Sequence, residues 1–530
     1  MLLSSLFLLF TALLSTCAPY KFLVYSPFLW PSHVKFLANI ADVLTEGGHD
    51  VTVLMPEMNK DLVNITGVRS TKRIVRSPGD PRVWKMLEES KQYVSQSIWT
   101  TPSSAIPMLQ IAKNMSEIFK WQCETLINDD TFLQRLKEEK FDVGIAEPNT
   151  VCAFGLFEVL DIRSTIAVIS NPHLEAVAYA IGEPFLPSYM PGLFSATGDR
   201  MTFFERLQNI FALAVARIFA SYCYNAEMEV FIKKYGSFKD HNELIAQVSF
   251  VFTNGNPYLD FPRPTLHKTV MIGGFAVAQR EKERQELSQK WNSILNSRKR
   301  TVLVSFGSYA RSVDMPEDFK RAMLDVFASM PDVTFIWKYE DESSNIAESL
   351  PNVHLSSWVP QVELLEDDRL SLFLTHGGLA STNEVAFMGK PAIVAPILGD
   401  QMRNSRMLAR HGGALVFDKS DINNPEKLKD AFVEVLNNPS YAKNAKRLSQ
   451  MLRSQPIPAQ ELLLKHAEFA ARFGRLPNLD SYGRHLSILE YYLLDVIAAV
   501  AVTLSLVVIV VAMLIRRCCR RIRSVKQKKD

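Results

Sequence analysis

Cysteine is scarce in this sequence, with six residues among 530. No two of them have the Cys-x-x-Cys spacing of a zinc or redox motif, so neither kind of site is predicted. Cys123, Cys152 and Cys223 lie in the body of the chain, and their odd number leaves two arrangements open. Either one disulfide forms beside a free thiol, or all three thiols are buried.

Glycine is missing where a dinucleotide-binding protein needs it. The first predicted strand, 21–26, is followed by PFLWPSH, which contains no glycine. The Gly-x-Gly-x-x-Gly turn of a nicotinamide-dependent oxidoreductase is therefore excluded at this position. The sequence also contains no DxD-type metal motif, no internal repeat and no low-complexity segment, and no metal site is predicted.

An excess of one charge sign is absent except at the C-terminus. The formal net charge is +3, but residues 516–530 hold eight Lys or Arg and one Asp. This tail carries +7, which leaves −4 for the rest of the chain. The basic isoelectric point therefore comes from the tail, and a nucleic-acid-binding surface is not predicted.

Two long apolar runs stand at the ends of the chain. Residues 1–18, MLLSSLFLLFTALLSTCA, end in small residues and are predicted to be a signal peptide. Near the other end, Val496–Ile515 is uncharged and long enough to span a bilayer. The arginines that follow it predict a cytosolic tail and a body on the opposite side of the membrane.

Three short motifs fit a chain that enters the secretory pathway. Asn64-Ile-Thr and Asn114-Met-Ser are glycosylation sequons, which a luminal body could use. Lys526 and Lys528, fifth and third from the C-terminus, resemble the dilysine retrieval signal of endoplasmic reticulum membrane proteins. The predicted location is the endoplasmic reticulum membrane, with a single span and luminal domains.

Apolar runs of strand length alternate with helical patterns through most of the chain. KFLVYS, HDVTVLMP, FDVGIAE and STIAVIS are predicted strands of the first half, and TVLVSFGS, VTFIWKY, LSLFLTH, PAIVAPI and GALVF of the second. Ser32 is predicted to cap the helix after the first strand, which runs to about Glu46. This alternation predicts two α/β domains with parallel sheets, joined by the proline-containing segment 254–274.

The stretch 358–404, WVPQVELLEDDRLSLFLTHGGLASTNEVAFMGKPAIVAPILGDQMRN, has polar and aromatic groups suited to a nucleotide ligand. Trp358 offers a flat face on which a base can stack, and Gln361 can hydrogen-bond a base edge or ribose. Asp400 and Gln401 follow a predicted buried strand, at the sheet edge where ligands collect in open α/β folds.

The centre of the same stretch predicts an anion site. A predicted strand ends at His376, and Gly377 and Gly378 then allow a tight turn and a close approach of the backbone to a ligand. The following segment, 379–388, is predicted to be a helix. Its free N–H groups and positive dipole end would bind a diphosphate.

This stretch resembles the signature of the UDP-glycosyltransferases, and the chain from Tyr20 to the tail resembles the membrane-bound UDP-glucuronosyltransferases. The resemblance implies a GT-B fold, in which two Rossmann-like domains face each other across a cleft. The implied parts are a signal peptide at 1–18, an acceptor-binding domain at 19–268, a UDP-sugar-binding domain at 269–455, a helical return segment at 456–490, a transmembrane helix at 491–515 and a cytosolic tail at 516–530.

The resemblance also implies the residues that hold the donor: Arg263, Ser305, Ser308, Trp358, Gln361, Thr375, His376, Gly377, Gly378, Glu384, Asp400, Gln401 and Asn404. Among them Glu384 would bind the ribose hydroxyls and His376 the diphosphate. Arg263 would pair with a carboxylate on the donor sugar, because a guanidinium binds a carboxylate through two hydrogen bonds. Glucuronic acid is therefore the predicted sugar, and glucose or another hexose is the open alternative. The UDP-sugar is a co-substrate, and no cofactor is predicted.

His33 is the predicted general base. It follows the first strand at the start of a helix, and an imidazole titrates near the pH at which a hydroxyl acceptor must lose its proton. Glu147, at the end of another strand, would fix the imidazole tautomer and stabilise the cation. The resemblance implies Asp at this position and Asn in place of Ala380. These two departures leave a weakly active partner subunit as a second alternative.

The segments 56–130 and 180–250 show weaker periodicity, and the acceptor specificity is predicted to lie there, on loops and helices above the sheet. Within them, Phe203–Tyr224 is mostly apolar and is predicted to lie in the core or the acceptor pocket rather than on a membrane surface, because it has few basic residues. The predicted acceptor is a small lipophilic molecule with a hydroxyl group. Homo- or hetero-oligomers are left open.

Overall fold

The computed structural model describes residues 19–102, 104–282 and 286–526. The predicted signal peptide at 1–18 and Lys528 of the predicted retrieval signal lie outside these residues. The chain divides at Leu479 into a large unit and a C-terminal unit.

The first sheet of the large unit is parallel, and its strands are apolar because helices cover both faces. Its spatial order is β3-β2-β1-β4-β5-β6-β7. The strands are β1 Lys21–Tyr25, β2 Asp50–Pro56, β3 Arg73–Ser77, β4 Val143–Ala146, β5 Ser164–Ile169, β6 Phe250–Thr253 and β7 Thr269–Met271. The strand β7 pairs with β6, so this sheet extends past the boundary expected at residue 268.

The helices of this half fill the connections between its strands. They are α1 Pro31–Glu46, α2 Pro81–Thr100, α3 Pro107–Ile127, α4 Asp130–Glu138, α5 Cys152–Val159, α6 Glu175–Ile181, α7 Phe203–Tyr235 and α8 His241–Ala246. The N-cap of α1 is Trp30, with Pro31 in the first turn and no side-chain cap. The prediction that Ser32 caps this helix is therefore wrong, because the fixed φ of proline already suits the first helical position.

The segments expected to be irregular contain the longest helices of the large unit. Helices α2 and α3 occupy much of 56–130, and α7 occupies much of 180–250. Their apolar residues pack above the sheet and against each other, in a cluster that includes Phe119, Leu126 and Phe231. Tertiary packing, rather than a regular strand-helix alternation, therefore determines these elements.

The first five turns of α7 carry an exposed apolar stripe. Phe203 is 66%, Phe204 77% and Leu207 57% exposed, and Phe211 and Ile218 lie farther along the same surface. The opposite side packs inward through small residues such as Ala212. The segment was expected in the core or the acceptor pocket; a core position is wrong for Phe203, Phe204 and Leu207, whereas Tyr224 at its end is buried.

The second sheet of the large unit is also parallel, in the order β10-β9-β8-β11-β12-β13. Its strands are β8 Arg300–Ser305, β9 Val333–Lys338, β10 Val353–Ser356, β11 Leu370–Thr375, β12 Ala392–Val394 and β13 Ala414–Val416. Four of the five strands predicted in this half follow the predicted runs closely, and β12 covers the centre of PAIVAPI. Reversal of the strand order at β8 and β11 is the pattern of a doubly wound sheet.

Helices cover both faces of the second sheet. They are α9 Phe275–Lys282, α10 Gln289–Leu295, α11 Glu317–Ala328, α12 Gln361–Glu366, α13 Leu379–Met388, α14 Gln401–Ala409, α15 Pro425–Asn437 and α16 Pro439–Arg453. The chain then returns through α17 Ala459–Phe473. Leu463 and Ala467 of α17 belong to the same buried cluster as Phe22 and Ile166 of the first sheet. The return segment therefore completes the core of the lobe built on the first sheet, the first lobe; the second lobe is built on the second sheet.

A disulfide joins Cys123 of α3 to Cys152 at the start of α5. Cys223, on α7, is a buried free thiol. Of the two arrangements left open by the sequence, the structure has one disulfide and one free thiol. The bridge ties the first turn of α5 to the helical layer above the sheet.

The C-terminal unit contains the short helix α18 Ile488–Tyr491 and the long helix α19 Leu494–Lys526. By length and composition, Leu494–Ile522 is able to cross a membrane. The helix starts after Leu493, whose φ of 54° interrupts the chain direction. It continues beyond the expected end at 515, so the arginines up to Arg521 extend the same helix.

Candidate active site

The first lobe places three polar side chains at one point of its sheet edge. His33 follows β1 in the first turn of α1, Glu147 follows β4, and Ser170 follows β5. The strands β1 and β4 are neighbours at the position where the strand order reverses. Connections leave in opposite directions there, which opens the crevice that ligands occupy in such folds.

Nδ1 of His33 and Oε2 of Glu147 are 2.6 Å apart. The other carboxylate oxygen accepts a hydrogen bond of 2.9 Å from the backbone N–H of Ser170, whose hydroxyl lies 3.0 Å from Nδ1. The carboxylate therefore places the imidazole proton on Nδ1. Nε2 is left as the proton acceptor, on a side chain that is 20% exposed.

The charges around His33 favour its protonated form. Burial alone would lower the pKa of His33, but the charge and hydrogen bond of Glu147 and the charge of Asp400 outweigh it and raise the pKa above its usual value. Burial likewise opposes ionisation of Glu147, yet His33 and Ser170 hold the pKa of this carboxyl below its usual range. The carboxylate can thus stabilise an imidazolium after proton transfer.

The second lobe repeats the arrangement at its own strand reversal. The turn Phe306–Gly307 follows β8, and His376 follows the neighbouring strand β11. The imidazole of His376 lies between Gly307 and Gly378, since a Cβ at either glycine would come within 2.7 Å of a ring atom. Gly378 is the N-cap of α13, so the ring stands beside a helix N-terminus.

His376 is suited to donate a hydrogen bond as a neutral ring. Burial, with a smaller contribution from Lys338, lowers the pKa of His376 to about 4. Its Nδ1 is buried without a hydrogen-bond partner among the described residues. An unpaired buried nitrogen is costly unless a ligand satisfies it. Together with the amides of α13, this nitrogen makes the turn a candidate phosphate site.

The candidate groups for binding the base and the ribose are an exposed tryptophan, Trp358, and a buried glutamate of α13, Glu384. Trp358 is 69% exposed, which leaves its indole face open to a base. Gln361 donates through Nε2 to Oε2 of Glu384 at 2.5 Å. Oε1 of Glu384 accepts from Nη1 of Arg280 at 3.0 Å. The glutamate is therefore held in position from two sides, with oxygens that suit a ribose diol.

The predicted sugar-binding loop is braced by its own side chains. Oε1 of Gln401 accepts from the backbone N–H groups of Ile397 and Leu398 at 2.8 and 3.0 Å. Nδ2 of Asn404 donates to Oδ2 of Asp400 at 2.8 Å and to the carbonyl of Gly377 at 3.1 Å. Burial raises the pKa of Asp400, although Asn404 and the positive charge of His33 oppose this.

The two lobes are fastened so that these loops meet. Arg403, in the first turn of α14, donates through Nη2 to Oδ1 of Asp260 at 2.6 Å, and both side chains are buried. One turn further, Arg406 donates to the carbonyl of Ala196. The charge of Asp400 at the start of α14 consequently acts on His33 in the opposite lobe.

Several predicted donor residues also make hydrogen bonds or ion pairs within the protein. Arg263 is buried, with Nη2 3.3 Å from Oε1 of Glu183. The hydroxyls of Ser305 and Thr375 accept from the N–H groups two residues further on. Asn404 is fully buried. Each of these side chains has at least one contact within the protein, but Nε of Arg263 and Oδ1 of Asn404 have no hydrogen-bond partner among the described residues. Direct donor contact by these side chains stays a prediction.

The remaining predicted positions are exposed to solvent. Ser308 is exposed in the turn after β8, next to Gly307. Asn64 is exposed in a loop, and Asn114 is exposed on α3. Ser116, the third residue of the second sequon, is buried and donates to the carbonyl of Lys113. The Asn64 sequon is thus the more accessible of the two.

Sequence reasoning missed three residues that contact the site. Arg280 binds Glu384 from α9, and Ser170 and Asn149 lie within 3.0 and 3.3 Å of His33 Nδ1. Ser170 ends the predicted strand STIAVIS, so its position at the same sheet edge as Glu147 was an available signal. Nothing in the sequence pairs Arg280 with a glutamate 104 residues away.

A family model and individual known proteins both relate this chain to transferases that use UDP-sugars. Residues 24–529 match the model of a family described as UDP-glucoronosyl and UDP-glucosyl transferase. The Caenorhabditis elegans protein ugt-56, whose name places it among the UDP-glucuronosyltransferases, is 29% identical over 86% of this chain and 88% of its own length. UDP-glucuronosyltransferase 1A9 of Mus musculus is 27% identical over 92% and 89%.

Solved structures show the same architecture. A UDP-glucosyltransferase from Polygonum tinctorium superposes with a TM-score of 0.60 at 15% identity, covering 86% of this chain and 99% of the other. The glycosyltransferase VinC, solved with dTDP, gives a TM-score of 0.56 at 15% identity, covering 85% and 100%. These likenesses show the GT-B fold, as expected from the sequence.

Glu147→Gln is expected to lower the pKa of His33. The substitution removes the negative charge that raises this pKa, while burial of the imidazole, which lowers it, remains. The pKa can be measured on the full chain by mass spectrometry of histidine C2–H exchange against pH. Glu468→Gln is the control, because Glu468 lies 3.5 Å from a different histidine, His49. An unchanged or raised pKa of His33 in Glu147→Gln contradicts the pairing.

Gly307→Ala is expected to weaken UDP binding by about 10- to 100-fold, the equivalent of losing one hydrogen bond to a charged group. The new Cβ would lie 2.7 Å from Cε1 of His376 and displace the ring. Titration calorimetry on the detergent-solubilised chain measures the effect. Gly48→Ala is the matched control, since Gly48 also has a positive φ but no atoms within 4 Å of a Cβ. Equal affinities in the two variants would disprove the role of the ring.

Proposed function

Because this chain belongs to the UDP-glucoronosyl and UDP-glucosyl transferase family, we propose that it transfers glucuronic acid from a UDP donor to a hydroxyl of a small lipophilic acceptor. His33 is the general base of this reaction, and the sugar C1 is inverted. The observation that carries the proposal is the pairing of His33 Nδ1 with Glu147, which leaves Nε2 as a proton acceptor close to the charge of Asp400.

The reaction is a single displacement. The acceptor hydroxyl gives its proton to Nε2 of His33 as its oxygen bonds to C1 of the sugar, and the bond from C1 to the diphosphate oxygen breaks. UDP leaves with the electron pair. Glu147 stabilises the imidazolium, and the carboxylate does not need to take the proton.

The second lobe stabilises the leaving group. The neutral ring of His376 and the N–H groups at the start of α13 are fixed before the reaction, so they lose little free energy in reorganising as charge develops on UDP. Trp358 stacks on the uracil, Glu384 binds the ribose, and Asp400 with the NH₂ group of Gln401 holds the sugar hydroxyls. A protonated His33 cannot accept a proton, so transfer requires a pH above the raised pKa of His33.

Different observations favour glucuronic acid and glucose as the donor sugar. Glucuronic acid is favoured by the names of the relatives ugt-56 and mouse 1A9. Glucose is favoured by Arg263, because its guanidinium is buried against Glu183 and is not exposed as a ready partner for a sugar carboxylate. We place the chain in the endoplasmic reticulum membrane, with α19 as the anchor and the two lobes in the lumen, where an oxidising environment allows the Cys123–Cys152 bridge.

His33→Ala is expected to lower turnover by about 10²- to 10⁴-fold, the usual contribution of a general base. UDP affinity should stay unchanged, because His33 belongs to the opposite lobe. Microsomes containing each variant are incubated with donor and a phenol, and UDP affinity is measured separately. His354→Ala is the control, as it removes an imidazole from β10. Near-normal turnover of His33→Ala would refute the proposed base.

A donor competition is expected to give glucuronide as the main product. Microsomes containing the full chain receive equal concentrations of UDP-glucuronic acid and UDP-glucose with a panel of phenols, and the products are distinguished by mass. The His33→Ala chain measures background transfer by the host. If the main product were a glucoside, the proposed donor sugar would be glucose instead of glucuronic acid, and the proposed mechanism would be unchanged. No conjugate with either donor would contradict the proposed activity.

A further inference from the structure

The turn that follows Glu147 is held by a helix outside the catalytic pair. Residues 148–151 connect β4 to α5 and lie against α7. The hydroxyl of Thr150 donates to Oε1 of Glu227, and the N–H of Val151 donates to Oε2 at 2.6 Å. One turn earlier on α7, the hydroxyl of Tyr224 donates to the carbonyl of Pro148. Three hydrogen bonds, two accepted by Glu227 and one donated by Tyr224, thus fix a four-residue turn.

This turn carries the partners of the base. Glu147 immediately precedes it, and the amide of Asn149 within it lies 3.3 Å from Nδ1 of His33. The residue that follows the turn is Cys152, the first of α5, which the disulfide joins to α3. With β4 at one end and the disulfide at the other, the contacts to α7 determine how far the middle of the turn stands from His33.

Glu227 is an unusual residue for its location. Its side chain is 1% exposed, and burying a carboxyl group costs free energy unless hydrogen bonds compensate. Burial raises the pKa of Glu227 to about 7 despite the bonds from Thr150 and Val151. Burial, with a smaller contribution from the charge of Glu227, raises the pKa of Tyr25, the last residue of β1 before the loop to His33. Glu227 thus binds the turn that follows β4 and acts electrostatically on the last residue of β1.

We propose that Glu227 is a positioning residue for the base, whose buried carboxylate holds the turn 148–151 so that Glu147 and Asn149 remain against His33. This inference rests on the proposed role of His33. Glu227 touches neither donor nor acceptor in this scheme. It acts through the turn, and its loss moves the partners of the imidazole rather than removing them.

The test uses three substitutions in the full chain. Glu227→Leu removes both acceptors at similar volume and is expected to lower kcat about ten- to a hundredfold, with KM for the UDP-sugar within about twofold of the native value. It should also lower the pKa of His33, measured by histidine C2–H exchange, because Glu147 moves away. Thr150→Val removes the hydrogen bond to Glu227 and the weaker one that the hydroxyl accepts from the N–H of Cys152 at 3.3 Å, and should lower kcat about fivefold. Glu227→Gln can accept from Val151 and donate to Thr150, and should restore most of kcat.

Gln122→Leu is the matched control. Gln122 clamps a different turn from α3, accepting from the N–H of Asp80 and donating to the carbonyl of Pro78, and neither residue contacts His33. The control should leave kcat and the pKa of His33 unchanged. If Gln122→Leu and Glu227→Leu lowered kcat equally, general destabilisation would explain the loss, and the proposal would be overturned.

The remaining outcomes are also decisive. Native kcat and an unshifted pKa of His33 in a folded Glu227→Leu chain would refute positioning. If Glu227→Leu does not fold, Thr150→Val decides by the same two measurements. If the native chain transfers no sugar, the proposed function fails, whereas the pKa of His33 in the variants still tests whether Glu227 positions Glu147.

Discussion

The buried ion pair between Arg403 and Asp260 is the contact on which the cleft depends. It joins the helix that begins beside Asp400 to the segment that leads out of the first lobe. Both side chains are almost fully buried, so breaking the pair by removing one partner would leave a charge without water. A rigid connection is needed here because the two halves of the reaction centre come from different sheets, and an error of about 1 Å between them would slow the reaction strongly.

Two histidines occupy equivalent places in the two sheets and are tuned in opposite directions. Carboxylates around His33 raise its pKa, which suits a group that must take a proton. Burial, with a smaller contribution from Lys338, lowers the pKa of His376 to about 4, which keeps it a neutral donor beside a diphosphate. Such opposite environments are how one fold assigns different tasks to the same side chain. The strand reversal provides the location in each lobe, and the neighbouring charges provide the chemistry.

The sequence was sufficient to predict the positions of functional residues that follow the ends of strands. His33, Glu147 and His376 each follow a short apolar run, and parallel strands bring their carboxyl ends to one edge, so their placement was predictable. The sequence was insufficient to predict hydrogen-bond and ion-pair partners that come from a distant segment. Glu183 pairs with Arg263 from 80 residues away, and no local pattern reveals this. The apolar segment of α7 was expected in the core or the acceptor pocket for a related reason: an apolar composition with few basic residues does not show what covers the apolar face.

That stripe has a practical consequence for handling the protein. Removing everything after Leu479 would delete the helix that is able to cross a membrane, yet Phe203, Phe204 and Leu207 would remain as a contiguous apolar surface on the truncated body. Patches of this kind promote aggregation and detergent uptake in water. A shortened chain therefore requires amphiphile during purification, and loss of solubility in its absence would say nothing about whether the two lobes have folded.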